Sequence, residues 1–572
     1  MSNNTLSTSP NQLGSGNLPS GYDEITFTMG NGNWAKDIKL PLEPKDKNTV
    51  IIISSAAYTA YIDTTDVDVP LPSLPIKTDS RYTLVYQEKT KKWGVSGTGI
   101  SYLTPNDTGD AIPEKTDNII FYSMADSNWV PAVSLPAKAN DGAYIIVRST
   151  ATWNSQVNKN NMLYASTTTI VSNDIYTFKY LAAFNRWVIE SAPVRNLFAD
   201  SINIQMPKPT SQRTEVNFTS QHWIERIKLP VNPNDRDKVS LKSSSIFEAT
   251  IDDSNVNMPG VMRLISGDQY DFTYIAENKK WQLMKHPDTR YEAHEIADGK
   301  LGNITRPRTL IHVSDGNYHS QLTLPATPTA GSRVIISSDA AWDFRVLADG
   351  KSYPISNGET VAFKVDENNV WTKETITIDL LLLYSDKAAA RLGEDTMRNR
   401  LLEGFRLTNE ALENSGANFR YRMRGLRQVV AKDSWKALGD PLGELRSDPT
   451  VQGWRDSLKA DGVYYEGTED GCGLAWVRSS AFNMVATGSI NCGTTVMRHE
   501  LGHNMGLHHA DGSDSYNQGY GLLATIMGGN AIPYYSTPHR YTLDYGIPMG
   551  IVDKIDAVRA MNEFSATVAA YR

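Results

Sequence analysis

No apolar run in these 572 residues approaches the ~20 that a helix needs to cross a bilayer, so no membrane insertion is expected. Basic residues are in deficit: 56 Lys and Arg against 64 Asp and Glu give a formal net charge of −8. No long basic run offsets that balance, which argues against nucleic acid as a partner, because its binding needs clustered cations to displace counterions. The first twenty residues lack both a charged n-region and an apolar h-region. Rich in Ser, Asn, Gly and Pro, residues 1–20 read as a flexible tail of the kind left where a signal peptide has been removed. Cysteine is nearly missing, with only Cys472 and Cys492. In so long a chain each could be a buried free thiol, as an intracellular protein would favour. Both adjoin glycine, however, in Gly471-Cys472-Gly473 and Cys492-Gly493, as at exposed turns. A disulfide closing their loop of about 20 residues would stabilise by on the order of 3 kcal/mol, and it points to an oxidising, extracellular location.

What the chain has in abundance is repetition. Its length predicts about three to five domains. The pair Leu-Pro recurs at Leu40-Pro41, Leu135-Pro136, Leu229-Pro230 and Leu324-Pro325. Six positions before each leucine stands an aromatic residue: Trp34, Trp129, Trp223 and Tyr318. A β-branched run follows each pair, over 50–55, 143–150, 239–244 and 334–338, and an alternating strand then closes each unit on Trp93, Trp187, Trp281 or Trp371. Four units are therefore expected, over 21–98, 116–192, 212–286 and 306–374. Short β-rich runs between Asn, Asp, Gly and Lys clusters, with no sustained helical period, predict a small antiparallel all-β sandwich or barrel for each. The polar, proline-containing links 98–115 and 197–212 read as semi-extended spacers. A tryptophan at the same place in every copy of a small β-fold is expected in its core, with stacking on a sugar ring or peptide as the alternative. As a set the repeats are expected to bind or position a partner, passive spacing or shielding being the alternative.

From 375 to 572 the texture changes to that of an α/β domain of about 200 residues, large enough for its own core. A buried-looking strand over 375–384 precedes a helix over about 395–413, with Met397, Leu401, Phe405 and Leu412 on one face. Phe419, Tyr421 and Met423 then alternate as in a strand, and helical sequence continues to about 459.

Residues 499–509 read HELGHNMGLHH, which contains H-E-x-x-H-x-x-G-x-x-H. With ten His and 40 Gly in the chain, the full pattern arises by chance on the order of once in 100,000 such chains, so it is treated as a site. His499 and His503 lie one helical turn apart, so both imidazoles leave the same face and can hold one Zn²⁺ at ~2.0–2.1 Å. Gly506 can take the positive φ that ends the helix and lets His509 reach the same ion. Three nitrogens leave a fourth position open for water, the geometry of a catalytic rather than a structural zinc. Glu500 is placed to take a proton from that water and to hand it to a leaving amine. The alternative is three histidines satisfied in a helix and loop without metal. His508 is out of register and is expected at the surface or behind the ligands.

Together with Ala524-Thr525-Ile526-Met527-Gly528, the motif resembles the zinc-binding sequence and Met-turn of the metzincin proteases, and the resemblance implies Met527 as an apolar base beneath the ion. Cys472-Gly473-Leu474-Ala475-Trp476 is similar to the edge strand that lies along bound substrate in adamalysin-like metzincins, which makes Gly473, Leu474 and Ala475 substrate-pocket candidates. Ile532-Pro533-Tyr534-Tyr535-Ser536 is similar to the wall of their S1′ pocket and adds Tyr534 and Tyr535. In some metzincins a tyrosine beyond the Met-turn donates a hydrogen bond to the tetrahedral intermediate; pocket wall is the role implied here. Adamalysins commonly place Asp directly after the third His, whereas Ala510 intervenes before Asp511. Four β-repeats ahead of such a domain resemble a narrower group, the secreted coagulation-targeting metallo-endopeptidases of Gram-negative pathogens, exported by type II secretion with a dedicated membrane-anchored chaperone. That resemblance implies O-glycosylated host proteins as substrates, cut at glycosylated Ser or Thr following Pro. A broad-specificity metzincin with spacer repeats, or a glycan-binding adhesin with a secondary protease domain, are the other readings.

Overall fold

The structure is a computed structural model that describes residues 4–115 and 117–572. Residues 1–3 of the expected tail and Thr116, the first residue expected of the second unit, lie outside the described residues.

Each of the four units is a two-sheet β-sandwich. In the first, Thr5–Thr8, Glu24–Met29, Thr49–Ser54, Ser80–Gln87 and Lys92–Gly97 form a five-stranded sheet in that order, facing a three-stranded sheet of Asp37–Ile38, Ala60–Asp63 and Ser73–Ile76. The same pair of sheets recurs in the other three units. The expected antiparallel arrangement needs correction. Thr5–Thr8, Glu24–Met29 and Thr49–Ser54 run parallel, and only the last strands pair antiparallel. The chain visits the smaller sheet between Glu24–Met29 and Thr49–Ser54, and such a crossover returns the next strand parallel. Period-two alternation is identical in both kinds of pairing, so it could not tell them apart.

The expected tail and spacers also need correction. Thr5–Thr8, Ile100–Leu103, Val194–Phe198 and Asp288–Glu292 are the first strands of the four units, each paired in parallel along a sheet edge. Their side chains are mostly exposed or half-buried. An edge strand of that kind buries too little to leave a hydrophobic signature.

The closing tryptophans are core, each at most 2% exposed. The indole N–H of Trp187, Trp281 and Trp371 donates to the carbonyl of Pro136, Pro230 and Pro325 at 2.8, 3.0 and 2.9 Å. The recurrent Leu-Pro thus supplies the acceptor that makes burying an indole affordable.

In the last domain, Phe419–Val429, Ile376–Ser385, Gly462–Gly467, Val485–Ser489 and Gly473–Ala475 form one sheet in that order. All neighbours are parallel except the edge pair of Gly473–Ala475 with Val485–Ser489. Leu380 to Leu383 are fully buried on both faces, as expected of a central parallel strand. The helix Glu394–Ser415 packs Met397, Leu401 and Leu412 into the same core as Tyr464 and the helix Val496–Asn504. Gly439–Leu445 and Pro449–Leu458 are the helices expected before residue 459.

Candidate metal centre

The helix Val496–Asn504 carries His499 and His503 on one face. Beyond it Gly506 takes φ +95°, and the chain turns back to bring in His509. The Nε2 of His509 lies 3.0 Å from that of His499 and 3.1 Å from that of His503. On the far side of each helical ring a backbone carbonyl takes the Nδ1 proton: Ile526 O at 2.9 Å from His499 and Leu507 O at 2.8 Å from His503. Those two bonds select the tautomers that turn the Nε2 lone pairs inward. Burial lowers the pKa of both rings, that of His503 to about 4, so both are neutral at pH 7 and able to ligate.

Ligand nitrogens on a tetrahedral ion at 2.0–2.1 Å stand about 3.3 Å apart. The observed spacings are close to that, and an all-imidazole set suits zinc among the divalent ions. Among the described residues no other group of three His, Cys, Asp or Glu side chains could hold a metal.

Glu500 is 5% exposed and its Oε2 has no hydrogen-bond partner. Burial pushes its carboxyl up to about 8, a shift that a cation at the histidines would oppose. The strand Gly473–Ala475 passes directly over it: a Cβ on residue 473 would meet Glu500 Oε1 at 2.2 Å, so any side chain there would push the carboxylate aside. The cleft beside the three rings holds about 510 Å³. Gly473, Leu474 and Ala475 line it together with His499, Glu500, His503 and His509. Leu474 is 43% exposed, on a strand with one side unpaired in the sheet order.

Cys472 and Cys492 are joined as a disulfide that ties the start of this edge strand to the turn before the helix that carries His499 and His503. Met527 is buried beneath Gly502 of that helix, whose missing side chain leaves room for its sulfur. His508 is half-buried and is not among the three grouped histidines, and its backbone N–H donates to Asn517 O at 2.9 Å.

The two tyrosines are placed differently from the expected pocket wall. Tyr535 is 1% exposed in the core under the helix, with its hydroxyl donating to Arg498 O and its N–H to Ser415 Oγ at 2.8 Å. Tyr534 faces a separate cavity between the third and fourth units and the last domain, lined also by Arg333 and Arg540. Neither lines the cleft at the histidines: the hydroxyl of Tyr535 bonds to the helix backbone, and Tyr534 lines the other cavity. Two further contributors had no sequence signal. Asn530 lines the cleft and braces the helix, accepting from Arg498 Nε at 2.7 Å and donating to Thr495 O at 3.0 Å. Ile526 acts through its carbonyl alone, which no side-chain pattern reveals.

Comparison with known proteins agrees with this arrangement. The family described as Metalloprotease StcE, beta-sandwich domain, matches residues 22–97, 117–191, 211–285 and 306–375, just over half of the chain. A second description, Metallo-peptidase family M12B Reprolysin-like, matches residues 455–510. The peptidyl-Asp metalloendopeptidase of Pseudomonas aeruginosa is 26% identical over 34% of this chain, and the aligned part is only 40% of that protein's length. A chain in the solved structure of a chaperone–substrate complex is 35% identical and superimposes with a TM-score of 0.88, covering 99% of this chain and 100% of that one. Four such sandwiches ahead of a reprolysin-like histidine cluster make the chain a member of the metalloprotease family that carries the StcE β-sandwich domain.

Proposed function

We propose that this protein is a zinc-dependent endopeptidase with Glu500 as its general base. The observation that carries the proposal is the convergence of three imidazole nitrogens beside the sealed carboxylate of Glu500, under a free strand edge. Zinc held by His499, His503 and His509 would supply Lewis acidity toward water and a scissile carbonyl. Glu500, with no competing hydrogen-bond donor at Oε2, accepts the water's proton and then passes it to the leaving amine. Gly473–Ala475 offers its backbone groups to an extended substrate by strand addition, and Leu474 offers an apolar contact. No covalent enzyme intermediate is required. Glu500→Ala should retain zinc and lose about 10³- to 10⁴-fold in turnover. Unchanged turnover in a zinc-loaded variant would show that another group is the base.

For substrate, the proposal is O-glycosylated host proteins such as coagulation factors, cut at glycosylated Ser or Thr after Pro. Resemblance to the secreted coagulation-targeting group supports it, and so does a feature of the repeats. In each unit the aromatic residue before Leu-Pro packs against another 24 residues on: Trp34 with Tyr58, Trp129 with Trp153, Trp223 with Phe247, Tyr318 with Trp342. The second members are 48–67% exposed. Tyr, Trp and Phe share only a π face, so what recurs at this position is a surface on which a sugar ring can stack. The relative's peptidyl-Asp designation favours a second reading, cleavage directed by Asp. Mapping cleavage sites on a defined O-glycoprotein, before and after enzymatic removal of its glycans, separates the two. Cutting that persists after deglycosylation, at Asp, would replace the first reading with the second.

Secretion with a dedicated membrane-anchored chaperone is part of the same proposal. Its supports are the similar chain in a chaperone–substrate complex and a disulfide suited to an oxidising compartment. No described helix is long and apolar enough to cross a membrane.

A further inference from the structure

Arg236, in the third unit, is only 1% exposed. A guanidinium so placed must have its donors met or its plane covered. The plane is covered, and one of the donors met, from outside its own unit. Its centre lies 4.0 Å from the ring of Tyr164 in the second unit and 5.7 Å from the ring of Tyr541 in the last domain. Its Nε donates to Gly546 O at 3.0 Å, and a neighbouring carboxylate, Asp235, takes Nη1 at 2.6 Å. Close by, Lys238 Nζ donates to the carbonyls of Leu543 and Asp544, and the hydroxyl of Tyr545 donates to Glu190 of the second unit. The tip of one hairpin, Thr537–Tyr541 paired with Pro548–Met549, is thus gripped between the second and third units.

That hairpin continues directly from the chain beneath the metal centre. Tyr535 bonds to Arg498 O on the metal-binding helix. The carbonyl of Tyr534 accepts from Ile526 N–H at 2.9 Å, and the carbonyl of Ile526 accepts from Nδ1 of His499. A continuous set of contacts therefore joins a β-sandwich to the group that fixes the orientation of one metal ligand.

We propose that Arg236 is a positioning residue for the metal centre: by clamping the 537–549 hairpin it holds Tyr534 and Ile526 where they orient His499. Partners behind metal-ligating histidines typically contribute 10- to 100-fold in metal affinity. The inference rests on the metal-site reading above. Its test is zinc affinity of the full-length protein by chelator competition, together with the visible spectrum of the cobalt-loaded form. Wild type must bind zinc, or the metal-site reading itself fails. Arg236→Met is expected to weaken zinc binding about tenfold and to alter the cobalt spectrum, with kcat falling more than KM changes. Wild-type affinity and spectrum in a folded Arg236→Met protein would reduce Arg236 to a purely structural contact and overturn the proposal. If that variant does not fold, Arg236→Lys keeps the charge in place but removes the Nε donor to Gly546 O and the guanidinium plane over Tyr164. Unchanged affinity and spectrum there would overturn it equally.

Discussion

At the candidate site the tight tolerance is at Gly473. Its Cα passes so near Glu500 that any side chain would displace the carboxylate, since an added Cβ would sit 2.2 Å from Oε1. With Glu500 as the proposed general base, Gly473→Ala should therefore leave the fold and melting temperature nearly unchanged while lowering kcat by about 100-fold, the scale of an ångström-level misplacement of such a group. Steady-state kinetics beside a thermal melt checks this, and wild-type kcat would show that Glu500 has another way to sit. His499 and His503 were legible as a pair because one helical turn is a local geometry: residues four apart share a face whatever surrounds them. Tyr535 was not. Whether a tyrosine after the Met-turn walls a cleft or braces a helix depends on which groups lie above it, here Arg498 O and Ser415 Oγ.

At the scale of elements, the edge strand Gly473–Ala475 has only three residues and one sheet neighbour. The Cys472–Cys492 bond closes the loop that contains it. Replacing both cysteines by serine should cost about 3 kcal/mol of stability. Amide exchange should quicken first over 473–489, and exchange rates equal to wild type there would show that sheet pairing alone fixes the strand. Strands with buried alternation, such as Thr49–Ser54, were readable from the sequence. Edge strands such as Ile100–Leu103 passed for spacers, because their stabilisation comes from backbone pairing that any sequence can make.

For the whole molecule, the fourth unit is fastened to the last domain through Glu413. Burial alone would raise its carboxyl, but Arg333 of the fourth unit and Arg420 beside it outweigh that and hold it down at about 2. The unfolded chain binds this proton near pH 4.5, well before the folded one does. The contribution is therefore fully present above about pH 4.5 and is lost as pH falls toward 2, in total about 3 kcal/mol. Melts from pH 6 down to pH 3 should show this slope in wild type and lose it in Glu413→Gln, which should instead carry a constant penalty for leaving Arg420 buried without its carboxylate. An equal slope in both proteins would assign the acid sensitivity to other groups. The sequence by itself determined the four-fold repeat, the tryptophan cores and the three histidines with their glutamate, since each depends on spacing along the chain. Only the tertiary structure decided that the first strands pair in parallel, that the repeats grip the hairpin at Arg236 and Tyr545, and that Tyr535 lies under the helix. These contacts join residues up to 355 positions apart, and burial at such a distance is set by which surfaces meet, which no local pattern encodes.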